Sequence, residues 1–193
     1  MALSQADLQA YRGRSIPDVL GEDVRLLIVG INPGLRSAAV QAPFGRRGNR
    51  FYPALFQAGI TEWEIDASEG LSDADRRHLI ERGVGITTLV SGATARADEL
   101  STQELTEGAA ALRERVRAMA PAVVAFLGVT SYRIAFARPH ATVGRQPEDI
   151  GGSESWVVPN PSGLNAHETI ASLAAAYRQV ALAAGITLKG EPR

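Results

Sequence analysis

Four short, almost unbroken apolar runs limit what this chain can fold into more than any other feature. They are Arg25-Leu26-Leu27-Ile28-Val29-Gly30, Gly85-Ile86-Thr87-Thr88-Leu89-Val90, Ala122-Val123-Val124-Ala125-Phe126-Leu127-Gly128 and Ser155-Trp156-Val157-Val158-Pro159. Runs this short, without polar alternation, read as strands covered on both faces, as in a parallel sheet. Helical stretches are predicted between and after them, over 50–58, 72–82, 101–119, 130–136 and 168–184. Ser72 with Asp75, and Ser101 with Glu104, mark helix starts; Gly59, Gly83 and Gly185 mark ends. In the longest stretch Leu105, Ala109, Leu112, Val116 and Met119 fall on one side. Strands alternating with helices predict an α/β fold, a three-layer α/β/α sandwich around a central, mainly parallel sheet. No repeat or composition shift divides the chain, so one domain over 1–193 is expected. Ligands of such sheets sit at the carboxyl ends of the strands, which directs attention to the loops after Gly30, Val90, Gly128 and Val158.

Composition narrows the classes. The chain is 45% hydrophobic and 21% charged, an ordinary globular balance. No apolar run approaches the roughly 18 residues of a membrane span, and the first residues lack a signal-peptide pattern. A cytoplasmic protein with no membrane role is expected, in a bacterium one working beside the nucleoid. There are no cysteines, which excludes disulfides and thiolate metal sites. His78, His140 and His167 show no metal-ligand spacing, so neither a metal nor a cofactor is expected. A net charge of −1 argues against coating nucleic acid by bulk charge. It leaves room for local basic surface: Arg36, Arg46, Arg47 and Arg50 occur with no acidic residue between them, which also suits a solvated loop.

Two loops carry candidate chemistry. In Gly30-Ile31-Asn32-Pro33-Gly34, Asn32 stands at the mouth of the sheet on a stiff turn. Its amide has one acceptor and one donor group and does not titrate, so it can hold a water in line with a reacting carbon. Asn-Pro-Gly is also a common turn. Downstream, Phe44 lies beside glycines and arginines, as a base-stacking and phosphate-holding segment requires; core packing is the alternative. After the last run, Pro159-Asn160-Pro161-Ser162-Gly163-Leu164-Asn165 places Leu164 at a stiffened tip. There it either fills the space left by a flipped base or folds back on the core.

Together, Gly30-Ile31-Asn32-Pro33-Gly34 and Asn160-Pro161-Ser162-Gly163-Leu164 resemble the two signature motifs of the bacterial mismatch-specific uracil and thymine DNA glycosylases, within the uracil-DNA glycosylase superfamily. Ile16-Pro17-Asp18, Pro43-Phe44 through Asn49-Arg50-Phe51, Gly85 to Val90, Asp98-Glu99-Leu100-Ser101 and Gly144-Arg145-Gln146-Pro147 extend the resemblance over nearly the whole chain, in order. It implies a uracil-DNA glycosylase fold and a DNA glycosylase of base excision repair, expected to be monofunctional because no lysine stands near the motif loops to form a Schiff base. That enzyme flips uracil, preferentially from mismatches with guanine, and hydrolyses the N-glycosidic bond. Thymine, ethenocytosine and related bases fall within the implied range. Its partner would be double-stranded DNA carrying the wrong base, with single-stranded DNA a further substrate, and the enzyme would act as a monomer.

The resemblance also implies roles. Asn32 positions the attacking water. Phe44 stacks on the flipped base, backbone groups near Ile31 and Phe44 read its edge, and Gly34 belongs to the same base pocket. Ser37 crowds the base's 5-position. Leu164 is the wedge, Gly163 lies against the widowed guanine, and Asn160 and Ser162 shape the loop around the phosphates. Asn165, Arg46 and Arg47 complete the DNA contact. One position departs from the family: an arginine two residues beyond the wedge is replaced by Ala166, which points to weaker dependence on the opposite guanine. Asp98 is a second catalytic candidate, as a base toward water or as a counter-charge to the sugar; otherwise it caps the long helix or is solvated. The rival readings are a broad-range uracil-DNA glycosylase, a non-catalytic lesion or abasic-site binder, and a phosphate-holding α/β protein. The last lacks the P-loop lysine and the dinucleotide glycine spacing.

Overall fold

The computed structural model describes residues 4–163 and 168–190. Its centre is β1 (Leu26–Gly30), all five residues of which are buried. β1 pairs in parallel with β2 (Val84–Thr88) on one side and with β3 (Val123–Leu127) on the other. β3 pairs in parallel with β5 (Glu154–Val158), and the two-residue β4 (Gly144–Arg145) closes that edge antiparallel. The sheet order is therefore β2-β1-β3-β5-β4. The expected parallel α/β/α architecture is present, with β4 in place of the simple turn anticipated before the last strand.

Alternate residues of the strands feed two cores. Leu26 and Ile28 of β1, with Val123, Ala125 and Leu127 of β3, face α3 (Phe51–Gln57), α4 (Asp73–Glu81) and α7 (Ile170–Ala183). Leu27 and Val29, with Val124 and Phe126, face α5 (Thr102–Met119) and α6 (Val129–Ala135). Burial on both faces explains why the runs are continuous rather than alternating. The capping signals act as predicted: Ser72 accepts from the Asp75 amide, and Ser101 and Glu104 form a full capping box. α5 places Gly108 where a Cβ would lie 2.7 Å from the Leu89 carbonyl oxygen, so the helix can seat only a glycine against the chain leaving β2. Among the described residues, no helix is long and apolar enough to cross a membrane.

Two short helices lie outside the predicted set. α1 (Gln5–Gln9) is held by a Ser4–Asp7 capping box, and α2 (Leu35–Val40) starts at Gly34 without a side-chain cap. Neither is long enough to show a helical period. Leu8, Tyr11 and Ile16 pack on Leu35, Ala38 and Ala93, which ties the N-terminal segment to the loop after β1.

His78 of α4 is buried, stacks on Trp63 at 3.9 Å and accepts a hydrogen bond from the Glu62 amide at 3.1 Å. Burial lowers its pKa. The unfolded chain, with an ordinary histidine pKa of about 6.5, therefore takes up this proton first as pH falls. The stability contributed by neutral His78 is complete above that value and is lost as pH drops through the lower folded pKa. Asp7 and Glu104, held low by hydrogen bonds from Ser4 and Ser101, act in a more acidic range. Urea-unfolding midpoints should decline between about pH 7 and 5, and His78→Gln should flatten that decline. An undiminished slope in the variant would exclude His78 as its source.

Candidate active site

The chain leaves β1 toward β2 on one side and later returns to β3 on the other, so the loops after β1 and β3 part in opposite directions. That switch point opens a crevice at the strands' carboxyl ends. A cleft of about 720 Å³ lies there. Gly30 and Ile31 after β1, Thr88 at the end of β2, Leu127 at the end of β3 and Asn160 and Ser162 after β5 all line it.

The loop 30–34 is not a free turn. The carbonyls of Gly30, Ile31 and Pro33 accept from the amides of Leu89, Val90 and Thr94, at 2.8, 2.9 and 3.1 Å. Asn32 is thereby fixed at the cleft wall, half-buried. Its Nδ2 donates to the Gly92 carbonyl at 2.9 Å and to Thr94 Oγ1 at 2.8 Å. A carbonyl can only accept, and the Thr94 hydroxyl gives its proton to the Arg96 carbonyl at 2.7 Å. The amide therefore has one sensible orientation, with Nδ2 on Gly92 and Thr94 and Oδ1 left as an acceptor of a residue that lines the cleft. An oxygen so placed can accept from a water and hold it, without gaining or losing a proton.

Phe44, whose ring packs against this loop at Gly30, has a left-handed backbone, φ 55°. Tyr52 and Ser37 hold it there. The Tyr52 hydroxyl donates to the Pro43 carbonyl at 3.1 Å, and the Gly45 amide donates to Ser37 Oγ at 3.1 Å. The ring stacks on Phe51 at 3.9 Å with planes 27° apart, and it reaches Gly30, where even a Cβ would touch it at 3.4 Å. Phe51 covers one side of the ring, and Phe44 still lines the cleft. A planar ligand can stack on such a ring. Phe51 and Tyr52 are themselves buried in α3, as the helix face predicted.

On the β5 side, Asn160 Oδ1 accepts from the Ser162 amide at 2.9 Å, forming the turn that starts the loop. The Tyr177 hydroxyl reaches the Pro159 carbonyl at 3.5 Å. Burial raises the pKa of both Tyr52 and Tyr177, so both phenols stay protonated donors. Arg50 donates to the carbonyls of Ser162 and Glu168, clamping the chain on either side of 163–167. Gly163 is exposed. Leu164 and Asn165, expected as wedge and DNA contact, lie outside the described residues.

The structure thus brings Ile31, Asn32, Gly34, Ser37, Phe44, Arg46, Arg47, Asn160 and Ser162 to one cleft. It sets Asp98 apart. Asp98 sits in a 3₁₀ turn (Ala97–Glu99), its side chain is 62% exposed, and both carboxylate oxygens accept from Arg96. It is not among the lining residues. The solvated reading fits these contacts better than the catalytic one, and Ser101 rather than Asp98 caps α5. Sequence reasoning missed Thr94, the cleft wall contributed by Gln5, Leu8 and Ile16, and Glu69. Thr94 lies 62 residues from Asn32, and no local pattern marks it.

A three-layer α/β/α fold thus carries an asparagine loop and an aromatic side chain in one cleft at its switch point. Residues 17–182 match the family model described as Uracil DNA glycosylase superfamily, and the chain belongs to that superfamily. It is also similar in fold to the solution structure of a "putative Uracil DNA glycosylase" from Methanosarcina acetivorans. The TM-score is 0.57 at 18% identity, over 87% of this chain and 98% of that one. Membership supports uracil-DNA glycosylase activity, a hydrolysis acting on DNA in base excision repair.

Thr94→Val removes the acceptor that orients the Asn32 amide. It should lower single-turnover uracil release about 10- to 100-fold, the scale of a misplaced reacting group. Thr94→Ser, which retains the oxygen, should recover most of the rate.

Proposed function

We propose that this protein is a monofunctional, monomeric DNA glycosylase, a single domain over 1–193 working in the cytoplasm, that removes uracil flipped out of DNA, preferentially from mismatches with guanine. The observation that carries the reading is the oriented Asn32 amide and the Phe44 ring lining one cleft. Phe44 stacks on the flipped base, and backbone groups near Ile31 and Phe44 read its edge. Ser37, buried at the cleft with its oxygen on the Gly45 amide, crowds the 5-position and favours uracil over thymine. Asn32 Oδ1 accepts a hydrogen bond from the attacking water and aims its oxygen at C1′.

The bond between C1′ and the base nitrogen breaks as the sugar gains oxocarbenium character. Uracil leaves as an anion whose charge is spread over its ring and is stabilised by hydrogen-bond donors. As the water's oxygen bonds to C1′ its proton passes through solvent to the uracil anion, and because an amide cannot take that proton the rate comes from positioning rather than from a strong base. Arg46, Arg47, Asn160, Ser162 and Gly163 face the DNA, with Leu164 as wedge and Asn165 beside it. Ala166, in place of the family's arginine, favours a second reading on the same chemistry: a broad-range enzyme that accepts uracil opposite adenine or in single strands.

Asn32→Ala should reduce uracil release at least about 100-fold while duplex binding persists, the loss typical of a positioned catalytic group. Asp98→Ala should leave the rate within a few-fold. The reverse result would transfer the chemistry to Asp98. Release from uracil opposite guanine, opposite adenine and in single strands separates the two readings.

The sequence contains a single lysine, Lys189, which donates to the Glu62 carbonyl and lies over the Phe56 ring rather than at the cleft. Borohydride should therefore trap no protein–DNA adduct, and a trapped adduct would overturn the monofunctional assignment.

A further inference from the structure

Four arginines and one carboxylate line the cleft: Arg36, Arg46, Arg47, Arg96 and Glu69. The carboxylate is placed where it offsets the basic rim most. A single oxygen, Glu69 Oε1, accepts from Arg36 Nη2 at 2.8 Å and from Arg47 Nη2 at 3.3 Å. The chain presents it on a purpose-shaped turn: the Ser68 amide donates to Asp66 Oδ1 at 2.9 Å, and the Ser68 carbonyl accepts from Arg36 at 2.9 Å. Arg36 is thus anchored by the backbone whatever Glu69 does. Arg47 is not: its side chain is 78% exposed, and that of Glu69 is 70% exposed. An exposed ion pair contributes little and exchanges readily for another anion. A phosphate oxygen makes the same guanidinium contacts as a carboxylate oxygen and makes them with more charge.

We propose that Glu69 is a phosphate placeholder. It occupies Arg36 and Arg47 in the free protein and competes for them with one backbone phosphate of the bound DNA strand. It thereby weakens binding to any stretch of DNA by roughly one phosphate contact. The inference rests on the DNA-glycosylase reading and adds to it a residue that sets affinity without touching the base. Such a residue lets the protein leave undamaged DNA and abasic product faster than its arginines alone would allow.

The test compares Glu69→Gln and Glu69→Ala with Glu114→Gln. Glu114 is an equally exposed carboxylate, paired with Arg117 on α5 and absent from the cleft lining, so it supplies the same change in net charge elsewhere. Binding to an undamaged labelled duplex is read by fluorescence anisotropy over a salt series. Both Glu69 variants should bind at least about threefold more tightly at low salt, and log K against log salt should steepen by about 0.9, the increment for one further phosphate contact. Glu114→Gln should match the parent in slope. Multiple-turnover uracil release should slow in the Glu69 variants relative to Glu114→Gln.

Equal affinities and slopes in all the variants would overturn the placeholder role and leave the glycosylase reading standing. A parent protein that binds DNA but releases no uracil would sink the glycosylase reading, while the slopes still decide Glu69. No salt-dependent binding by any form would overturn both.

Discussion

Everything at the working end of this molecule depends on β1 being paired on both sides in parallel. A strand in that position has both edges and both faces occupied, so it has no freedom to twist or slide. Its carboxyl end is held by a neighbouring strand on each side. The next residues inherit that rigidity because their carbonyls continue to accept from the chain leaving β2 as if the ladder had not ended. Asn32 is thus attached to the core by backbone geometry before any side chain acts on it. The loop 89–94 that completes the grip is itself pressed into place by α5 through the close approach at Gly108.

A second set of constraints comes from below the cleft. Phe51, Tyr52 and Tyr177 form an aromatic cluster between α3 and α7, with ring centroids 5.0 and 6.0 Å apart. Its two phenols each end on the carbonyl of a proline, Pro43 and Pro159, one residue before Phe44 and one before Asn160. One packed cluster therefore helps to set the positions of Phe44 and of the loop after β5. Arg50, the residue that opens α3, adds the clamp on the β5 loop. The spacing between the two sides is a property of the α3–α7 contact rather than of either loop.

The sequence made some of this legible and concealed the rest, for identifiable reasons. The strands could be read because burial on both faces forces continuous apolar runs. The long helices could be read because capping boxes and a 3.6-residue period need only local sequence. α2 could not: six residues starting at an uncapped glycine show no period. β4 is too short to have a pattern. Asn32, Phe44 and Asn160 stood out because strand ends and motif resemblance both pointed to them. Thr94 did not, since an isolated threonine becomes informative only when its hydroxyl is seen between an amide and a carbonyl. Asp98 follows the end of β2 closely in sequence, and what the sequence does not show is that both of its oxygens accept from its neighbour Arg96.

The hydrogen-bond chain from Asn32 through Thr94 to Arg96 contains no group that titrates near neutrality. A duplex carries a dense atmosphere of cations, and protons are enriched there along with the rest. An imidazole or carboxylate base working against that surface would be partly protonated by its own substrate, and more so as salt is diluted. An amide locked by a carbonyl and a hydroxyl is indifferent to that enrichment. On the proposed reading Asn32 therefore works equally well against the polyanion or away from it, and its chemistry is insulated from the electrostatics that bring protein and DNA together.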